Sequence, residues 1–191
     1  MISQTERRVF AGESVPATEK LVSLFEPHTR IIPRHKGGAA VEFGRLVVID
    51  EVEGGIVTRF AVLADKTGEQ GQLSPALAHH LRLFGKAPRL VTGDRGVHAA
   101  ENEAVARAAG VRHLVIPRSG KLTATQQARE QTWSWRRRYR WRAGIEGRLS
   151  SLRRDYGLRD CPDHGEEGLA RRVGWGSSAS NLRHSGQKLA A

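Results

Sequence analysis

The stretch YRWRAGIEGRLSSLR, residues 139–153, is the most informative part of the chain. Within it, Tyr139, Arg142, Glu146 and Arg153 follow the spacing Tyr-x2-Arg-x3-Glu-x6-Arg. On an α-helix, the last three lie at about 300°, 340° and 320° around the axis from Tyr139. The spacing therefore predicts one helix face that holds a carboxylate between two cations and a phenol, which suits a metal site that handles phosphate.

An apolar stripe lies directly beside this polar face. Its members are at about 220–280° on the same wheel: Ile145, Leu149, Leu152 and Tyr156. The pattern predicts a helix that packs on a sheet while one flank lines a cleft. Gly144 and Gly147 each cost about 1 kcal/mol relative to alanine in a helix, so they suggest close approach by another backbone. The alternative is a surface Arg-Glu-Arg ladder, worth about a few tenths of a kcal/mol.

The positive charge is concentrated in the second part of the chain. The 191 residues carry a net charge of +11. Residues 1–111 hold 14 Lys and Arg against 13 Asp and Glu, whereas residues 112–191 hold 17 against 7. A basic half of this kind predicts a nucleic-acid partner, and a merely solvated basic surface is the alternative. The segment WSWRRRYRWR, 133–142, adds aromatic rings for stacking and places Arg136, Arg137 and Arg138 as phosphate contacts.

Composition also excludes several classes of protein. The single cysteine, Cys161, excludes a disulfide framework and a multi-cysteine zinc site. No apolar run reaches the roughly 18 residues that a membrane span needs, and residues 1–14 lack the apolar core of a signal peptide. We therefore expect a cytoplasmic protein without a membrane partner.

The order of predicted elements indicates an α/β fold with a mixed sheet. After an irregular arm at 1–20 and an extended segment at 21–32, the strands are expected at 45–52, 56–65, 87–94 and 111–117, with loops at 34–40 and 66–72. The first two form a hairpin around Gly54 and Gly55. The helices are expected at 75–84 behind a Ser74 cap, at 99–110, from Thr123 or Thr125 continuously to Tyr156, and at 166–180.

Asp94 is the second candidate acid. It ends a predicted strand between Gly93 and Gly96, and sites in open α/β sheets lie beyond the carboxyl ends of strands. The alternative is a turn or cap aspartate. Asp94 and Glu146 together fit oxygen-ligated Mg²⁺. A two-metal site usually takes a third carboxylate, for which Asp50 is the candidate on a strand; its alternative is an ordinary hairpin residue.

These residues resemble a known family. Tyr139, Arg142, Glu146 and Arg153 resemble the signature around the third acidic residue of bacterial insertion-sequence transposases of the DDE type, with Arg153 where lysine is usual. The segment 93–96 resembles the one around the second acidic residue, with Val97 where an aromatic residue is common. Further similarity lies in LVSLFEPHTRII (21–32), VEFGR (41–45) and NLR (181–183).

The resemblance implies an RNase H-like mixed β-sheet with flanking helices. In this family the first catalytic aspartate lies on a first strand well before a segment like EPHT, 26–29, so the chain is expected to lack that strand. Residues 21–160 are then a partial catalytic domain, and residues 161–191 a C-terminal helical tail.

The resemblance also implies an activity and a site. The intact enzyme would cut and join double-stranded DNA, at element ends and target, with Mg²⁺ or Mn²⁺ held by Asp94 and Glu146. Tyr139, Arg142 and Arg153 would orient the site and contact phosphates. We expect association with the nucleoid, self-association, and an inactive chain in isolation. The alternatives are a non-catalytic basic DNA-binding protein and an RNase H-like nuclease, which would cleave without joining.

Overall fold

The strands form three small sheets in an α/β protein. A computed structural model describes residues 2–17, 19–33, 41–63 and 67–190. The two antiparallel pairs are β1 (Arg30–Pro33) with β2 (Val41–Gly44), and β3 (Leu46–Val52) with β4 (Ile56–Leu63); β5 (Leu90–Thr92) and β6 (His113–Val115) pair in parallel. The predicted hairpin is confirmed. The single mixed sheet is not seen, because the described strands pair only two by two.

The helices surround these sheets. They are α1 (Ile2–Thr5), α2 (Leu73–Phe84), α3 (Asn102–Ala108), α4 (Ala124–Gln131), α5 (Trp133–Arg140), α6 (Ala143–Asp155) and α7 (Gly165–Leu189), with a π-helical turn at Glu6–Phe10 and 3₁₀ turns at Thr67–Gln72 and Arg95–Val97. The predicted loop 34–40 and the first residue of the predicted loop 66–72 lie outside the described residues. None of these helices has the length and apolarity that crossing a bilayer requires.

The predicted continuous helix from Thr123 to Tyr156 is wrong, because two interruptions divide it. Thr132 is extended, at φ −61° and ψ 143°, and its hydroxyl accepts the backbone N–H of Trp135 at 3.3 Å, so it begins a new helix. At the second interruption, Trp141 and Arg142 donate to carbonyls only three residues earlier, which tightens the turn without reversing the chain. The predicted start is confirmed, since Thr123 forms a capping box with Gln126.

Helix α7 continues nine residues beyond its predicted end at Ser180. Two glycines inside this helix lie at close contacts. A Cβ at Gly174 would lie 3.4 Å from the Phe60 ring, and one at Gly176 would collide with the Leu158 side chain. Packing at these positions offsets the helical cost of glycine. The opposite holds for Gly144 and Gly147, where the predicted close approach is wrong: a Cβ there would meet no described atom within 4 Å.

Two apolar clusters join the helices to the sheets. In the first, Ile49 and Val57 of the hairpin pack on Leu152 of α6, which is fully buried, as its apolar stripe predicted. The second joins α2, α3 and the parallel pair through Leu73, Leu77 and Ala106. Each cluster buries one face of a two-stranded sheet, which such a sheet needs in order to be stable.

Helix α7 also covers the hairpin through a polar contact. The Asn181 side chain accepts the Val57 N–H at 2.9 Å and donates to the Val57 carbonyl at 2.7 Å. This side-chain amide thus forms the two hydrogen bonds with Val57 of β4 that the backbone of a neighbouring strand would form. The pair of bonds fixes the position of α7 on the hairpin.

Candidate functional site

Asp94 lies at the end of β5, as its sequence context predicted. It begins the 3₁₀ turn Arg95–Val97, and its Oδ1 accepts the Gly96 N–H at 3.0 Å. The turn is held from two other elements: Asn102 Nδ2 donates to the Val97 carbonyl at 2.7 Å, and Ser119 Oγ donates to the Arg95 carbonyl at 3.1 Å. The cap that was the structural alternative for Asp94 is therefore present, but it occupies only one carboxylate oxygen.

The second oxygen of Asp94 faces Arg142. Asp94 Oδ2 lies 3.9 Å from Arg142 Nη2, while Arg142 Nη1 lies 2.9 Å from Glu146 Oε1. One planar guanidinium therefore contacts both predicted acids, and its small size keeps their two contacting oxygens within about 9 Å of each other. The structure thus places near each other two predicted carboxylates that are 52 residues apart in the chain.

These groups differ in exposure. The side chain of Arg142 is 24% exposed, whereas those of Asp94 and Glu146 are 52% and 63% exposed. Water screens pairs of this kind, so their contribution to stability is small, about 0–1 kcal/mol each. The two carboxylates are open to an incoming ligand, while Arg142 is held between them.

Aromatic contacts position Arg142 from the other side. The Arg142 guanidinium carbon lies 5.9 Å from the centroid of the Tyr139 ring, and the Tyr139 ring stacks on Trp135 at 5.0 Å. Trp135, Tyr139, Arg142 and Glu146 follow one another at helical spacing, so the tightened turn between α5 and α6 preserves the predicted face. Arg153 is exposed and lies about 10 Å further along α6 than Glu146.

Asp50 does not join this cluster. It lies opposite Arg59 in the hairpin, and the two form an ion pair of 2.7 Å. Arg59 also donates to Gln72 Oε1 at 2.6 Å. In the described part of the chain, no group of three or more His, Cys, Asp or Glu side chains is arranged to hold a metal ion. The hairpin role that was the alternative for Asp50 is the one that the structure displays.

Glu69 is an acid beside Asp94 that the sequence analysis missed. Its carboxylate, in the 3₁₀ turn Thr67–Gln72, lies against Gly96, where an added Cβ would collide with it and would lie 3.2 Å from Asp94 Oδ1. The signal was weak, because Glu69 is in a polar segment that reads as a loop. Its proximity to Asp94 results from the packing of two short turns that are distant in sequence.

The basic segment presents cations outside this cluster. Arg136 and Arg137 are exposed and Arg138 is half-buried, and Arg137 lies 5.1 Å from the centroid of the Trp133 ring. Trp133 itself is 67% exposed. Burial lowers the pKa of His113, and the charges of Arg138, Arg112 and Arg89 lower it further. Positive charge therefore accumulates where α5 crosses the parallel pair, which favours a polyanionic partner.

Comparisons of the chain with models of known protein families, with curated proteins and with solved structures found no match.

Proposed function

We propose that the chain carries catalytic residues of a DDE-type DNA transposase, which cuts and joins DNA by metal-dependent phosphodiester transfer. The observation that carries the proposal is the contact of Arg142 with both Asp94 and Glu146. The motif spacing places Arg142 and Glu146 on one face by itself, but Asp94 reaches that face only through tertiary packing. Their convergence supports a shared role.

The proposed metal is Mg²⁺, with Mn²⁺ as a substitute, held by Asp94 and Glu146. Mg²⁺ sites commonly use one or two carboxylates and complete their coordination with waters and substrate phosphates. The two exposed carboxylates suit such a site, and a bound cation would compete with Arg142 for them. When bound, the metal supplies Lewis-acid activation of the phosphodiester.

The remaining residues of the motif would act on DNA. Arg142, held by Tyr139, would orient the two carboxylates and contact a phosphate. Arg153 and the exposed Arg136 and Arg137 would contact the backbone on either side, together with Arg138. An RNase H-like fold belongs to the same proposal. It is supported by the order of hairpin, helix, strand ending in an acid, helix and parallel strand.

A non-catalytic DNA-binding protein is the second candidate. The observation that favours it is that both acids have structural explanations, since Asp94 caps a turn and Glu146 pairs with Arg142 at i,i+4. The exposed Trp133 and its arginines would then be the functional surface. A binder of this kind requires neither carboxylate for its activity.

Metal-dependent strand cleavage separates the two candidates. We expect at most slow cleavage of duplex DNA by the purified chain with Mn²⁺, because Asp94 and Glu146 are two carboxylates where a two-metal site usually takes three. Asp94→Ala and Glu146→Ala should each abolish the metal-dependent product while DNA affinity is retained. The exposed acids Glu101 and Asp160 provide controls, as Glu101→Ala and Asp160→Ala. Cleavage that survives both site variants would refute the metal site, and cleavage without joining would favour an RNase H-like nuclease.

A further inference from the structure

A polar cleft of about 200 Å³ lies between α6 and α7. Its lining includes the cationic or imidazole side chains Arg148, Arg183 and His184 and the hydroxyls of Ser151 and Ser180. Arg148 follows Glu146 by two residues, which places it about 200° around α6. The cleft is therefore on the face of α6 opposite the two carboxylates, and it is separate from the candidate site described above.

Arg148 is fixed at the base of the cleft. Its Nε lies 3.2 Å from Glu51 Oε2, and its Nη1 donates to Ser180 Oγ at 3.2 Å. Both Arg148 and Glu51 are largely buried, with side chains 16% and 13% exposed. These bonds use two of the five N–H donors of the guanidinium, and its Nη2 lies against Gly55 of the hairpin turn. Because the side chain is already ordered, a ligand would not have to immobilise it.

The charge around the cleft favours an anion. Hydrogen bonds from Arg154 and Ser151 lower the pKa of Asp155, and the charge of Arg183 lowers it further, so this carboxylate is ionised. Among the lining side chains, Arg148 and Arg183 exceed Asp155 by one positive charge, and Glu51, which is not in the lining, pairs with Arg148. The Ser151 hydroxyl donates to Asp155 at 3.0 Å, whereas the Ser180 oxygen accepts from Arg148 and can still donate its own proton. One neutral donor thus accompanies the cations, a combination that fits an oxyanion with several acceptor oxygens.

We propose that this cleft binds a phosphate group, with Arg148 and Arg183 as its cationic ligands. Its volume is well above the roughly 10–15 Å³ that one water molecule needs in the same measure, so a phosphate fits. A phosphate of the DNA backbone and a free phosphate share this chemistry. The inference does not require the metal-dependent reaction proposed above.

The first test measures binding of inorganic phosphate to the full chain by calorimetry, without divalent metal. We expect saturable binding that weakens about tenfold or more in Arg183→Ala, the loss of one charge-assisted contact. Arg171→Ala is the matched control, because Arg171 is exposed on the same helix and removes the same charge away from the cleft. No saturable binding, or equal binding by the native chain and both variants, would overturn the proposal.

A second measurement identifies the source of the phosphate. If the ligand is the DNA backbone, inorganic phosphate should compete with duplex DNA, and Arg183→Ala should weaken DNA binding more than Arg171→Ala does. If the ligand is free phosphate, the two variants should bind DNA equally while only Arg183→Ala loses phosphate. Either result supports the cleft. Because no divalent metal is present, failure here is distinguishable from failure of the proposed cleavage activity.

Discussion

Arg142 contacts Asp94, 48 residues earlier in the chain, at 3.9 Å between Nη2 and Oδ2. The same guanidinium pairs with Glu146, one helical turn later. Arg142 directly precedes α6, so its contact with Asp94 connects the start of this helix to the end of strand β5. The two acids lie near each other with one cation between them. That cation reduces their mutual repulsion and also competes with any metal that they would bind.

Replacement of Arg142 should separate metal binding from catalysis. We expect Arg142→Gln to tighten Mn²⁺ binding by about an order of magnitude, because it removes a positive charge a few ångströms from the carboxylates. Whatever metal-dependent DNA cleavage the native chain shows should fall at the same time, since the proposed phosphate contact of Arg142 is lost. The free energy of unfolding should change by less than about 1 kcal/mol, because the ion pairs are partly exposed.

Electron paramagnetic resonance of Mn²⁺ provides the measurement for this variant. The control is Arg140→Gln, which removes an exposed charge of α5 from the same region. Equal Mn²⁺ affinity in the two variants would contradict a metal site at Asp94 and Glu146.

The basic segment should determine the salt dependence of DNA binding. On duplex DNA the logarithm of affinity falls with the logarithm of salt concentration by about 0.9 per phosphate neutralised. Joint replacement of Arg136, Arg137 and Arg138 by alanine should therefore flatten the slope by about 2–3 and weaken all sequences alike.

Fluorescence anisotropy over a salt series measures this slope. The control variant replaces Arg82, Arg107 and Arg171 by alanine. These three arginines are exposed and lie outside the basic segment, so the control has the same net charge as the first variant. If that control flattens the slope equally, net charge alone explains the binding and the segment has no special role.

Two glycines should respond to alanine in opposite directions. Gly147→Ala adds a methyl group where no described atom lies within 4 Å. The free energy of unfolding should rise by about 0.5–1 kcal/mol, because alanine favours the helix. Gly176→Ala would force its Cβ against Leu158 and to 3.0 Å from the Tyr156 carbonyl oxygen. The free energy of unfolding of that variant should fall by about 1–3 kcal/mol. Urea denaturation measures the free energy of unfolding of both variants. If Gly147→Ala is destabilised, another part of the protein packs against α6 at this position.

Two serines on α7 provide a similar contrast. Ser177 is 5% exposed, and its hydroxyl has no hydrogen-bond partner among the described residues. Ser177→Ala should therefore raise the free energy of unfolding by about 1 kcal/mol. Ser180 is also buried, but its Oγ accepts a hydrogen bond from Arg148 Nη1. Ser180→Ala should therefore lower the free energy of unfolding by about 1 kcal/mol. Thermal unfolding of both variants is sufficient, and a loss of stability in Ser177→Ala would mean that its hydroxyl has a partner.

Glu26 should make folding stability sensitive to acid. Its carboxylate lies 2.6 Å from His164 Nδ1 and accepts the Gly165 N–H at 3.1 Å, so it connects the segment before β1 to the start of α7. The His164 hydrogen bond, followed by that of Gly165, lowers the pKa of Glu26 from its ordinary 4.5. A carboxyl whose folded pKa is depressed stabilises the fold fully above its unfolded pKa, and this contribution is lost as the pH falls below about 4.5.

The free energy of unfolding as a function of pH tests this contact. Glu26→Gln should flatten the acid limb of the curve and lower stability near neutral pH. Glu167→Gln, on the exposed first turn of α7, should do neither. An unchanged acid limb in Glu26→Gln would show that this contact does not contribute.

Local sequence signals identified most elements but not their association. The hairpin was predictable because Gly54 and Gly55 take the positive φ angles of a tight turn, at 94° and 77°. The ends of α2 and α6 were predictable from Gly85 and Gly157, which are left-handed at 66° and 71°. The division at Thr132 was missed because threonine has two roles, within a helix or at its start, and local pattern does not choose between them.

The sequence by itself determined the polar face that carries Tyr139, Arg142 and Glu146, because helical periodicity depends only on residue spacing. It also determined the basic half of the chain. Only the tertiary structure decided that Asp94 lies beside Arg142, that Asp50 pairs with Arg59, and that Glu69 lies against Gly96. These contacts join elements that are distant in the chain, and their distances depend on how buried apolar surfaces such as that of Leu152 fit together, which residue spacing does not encode.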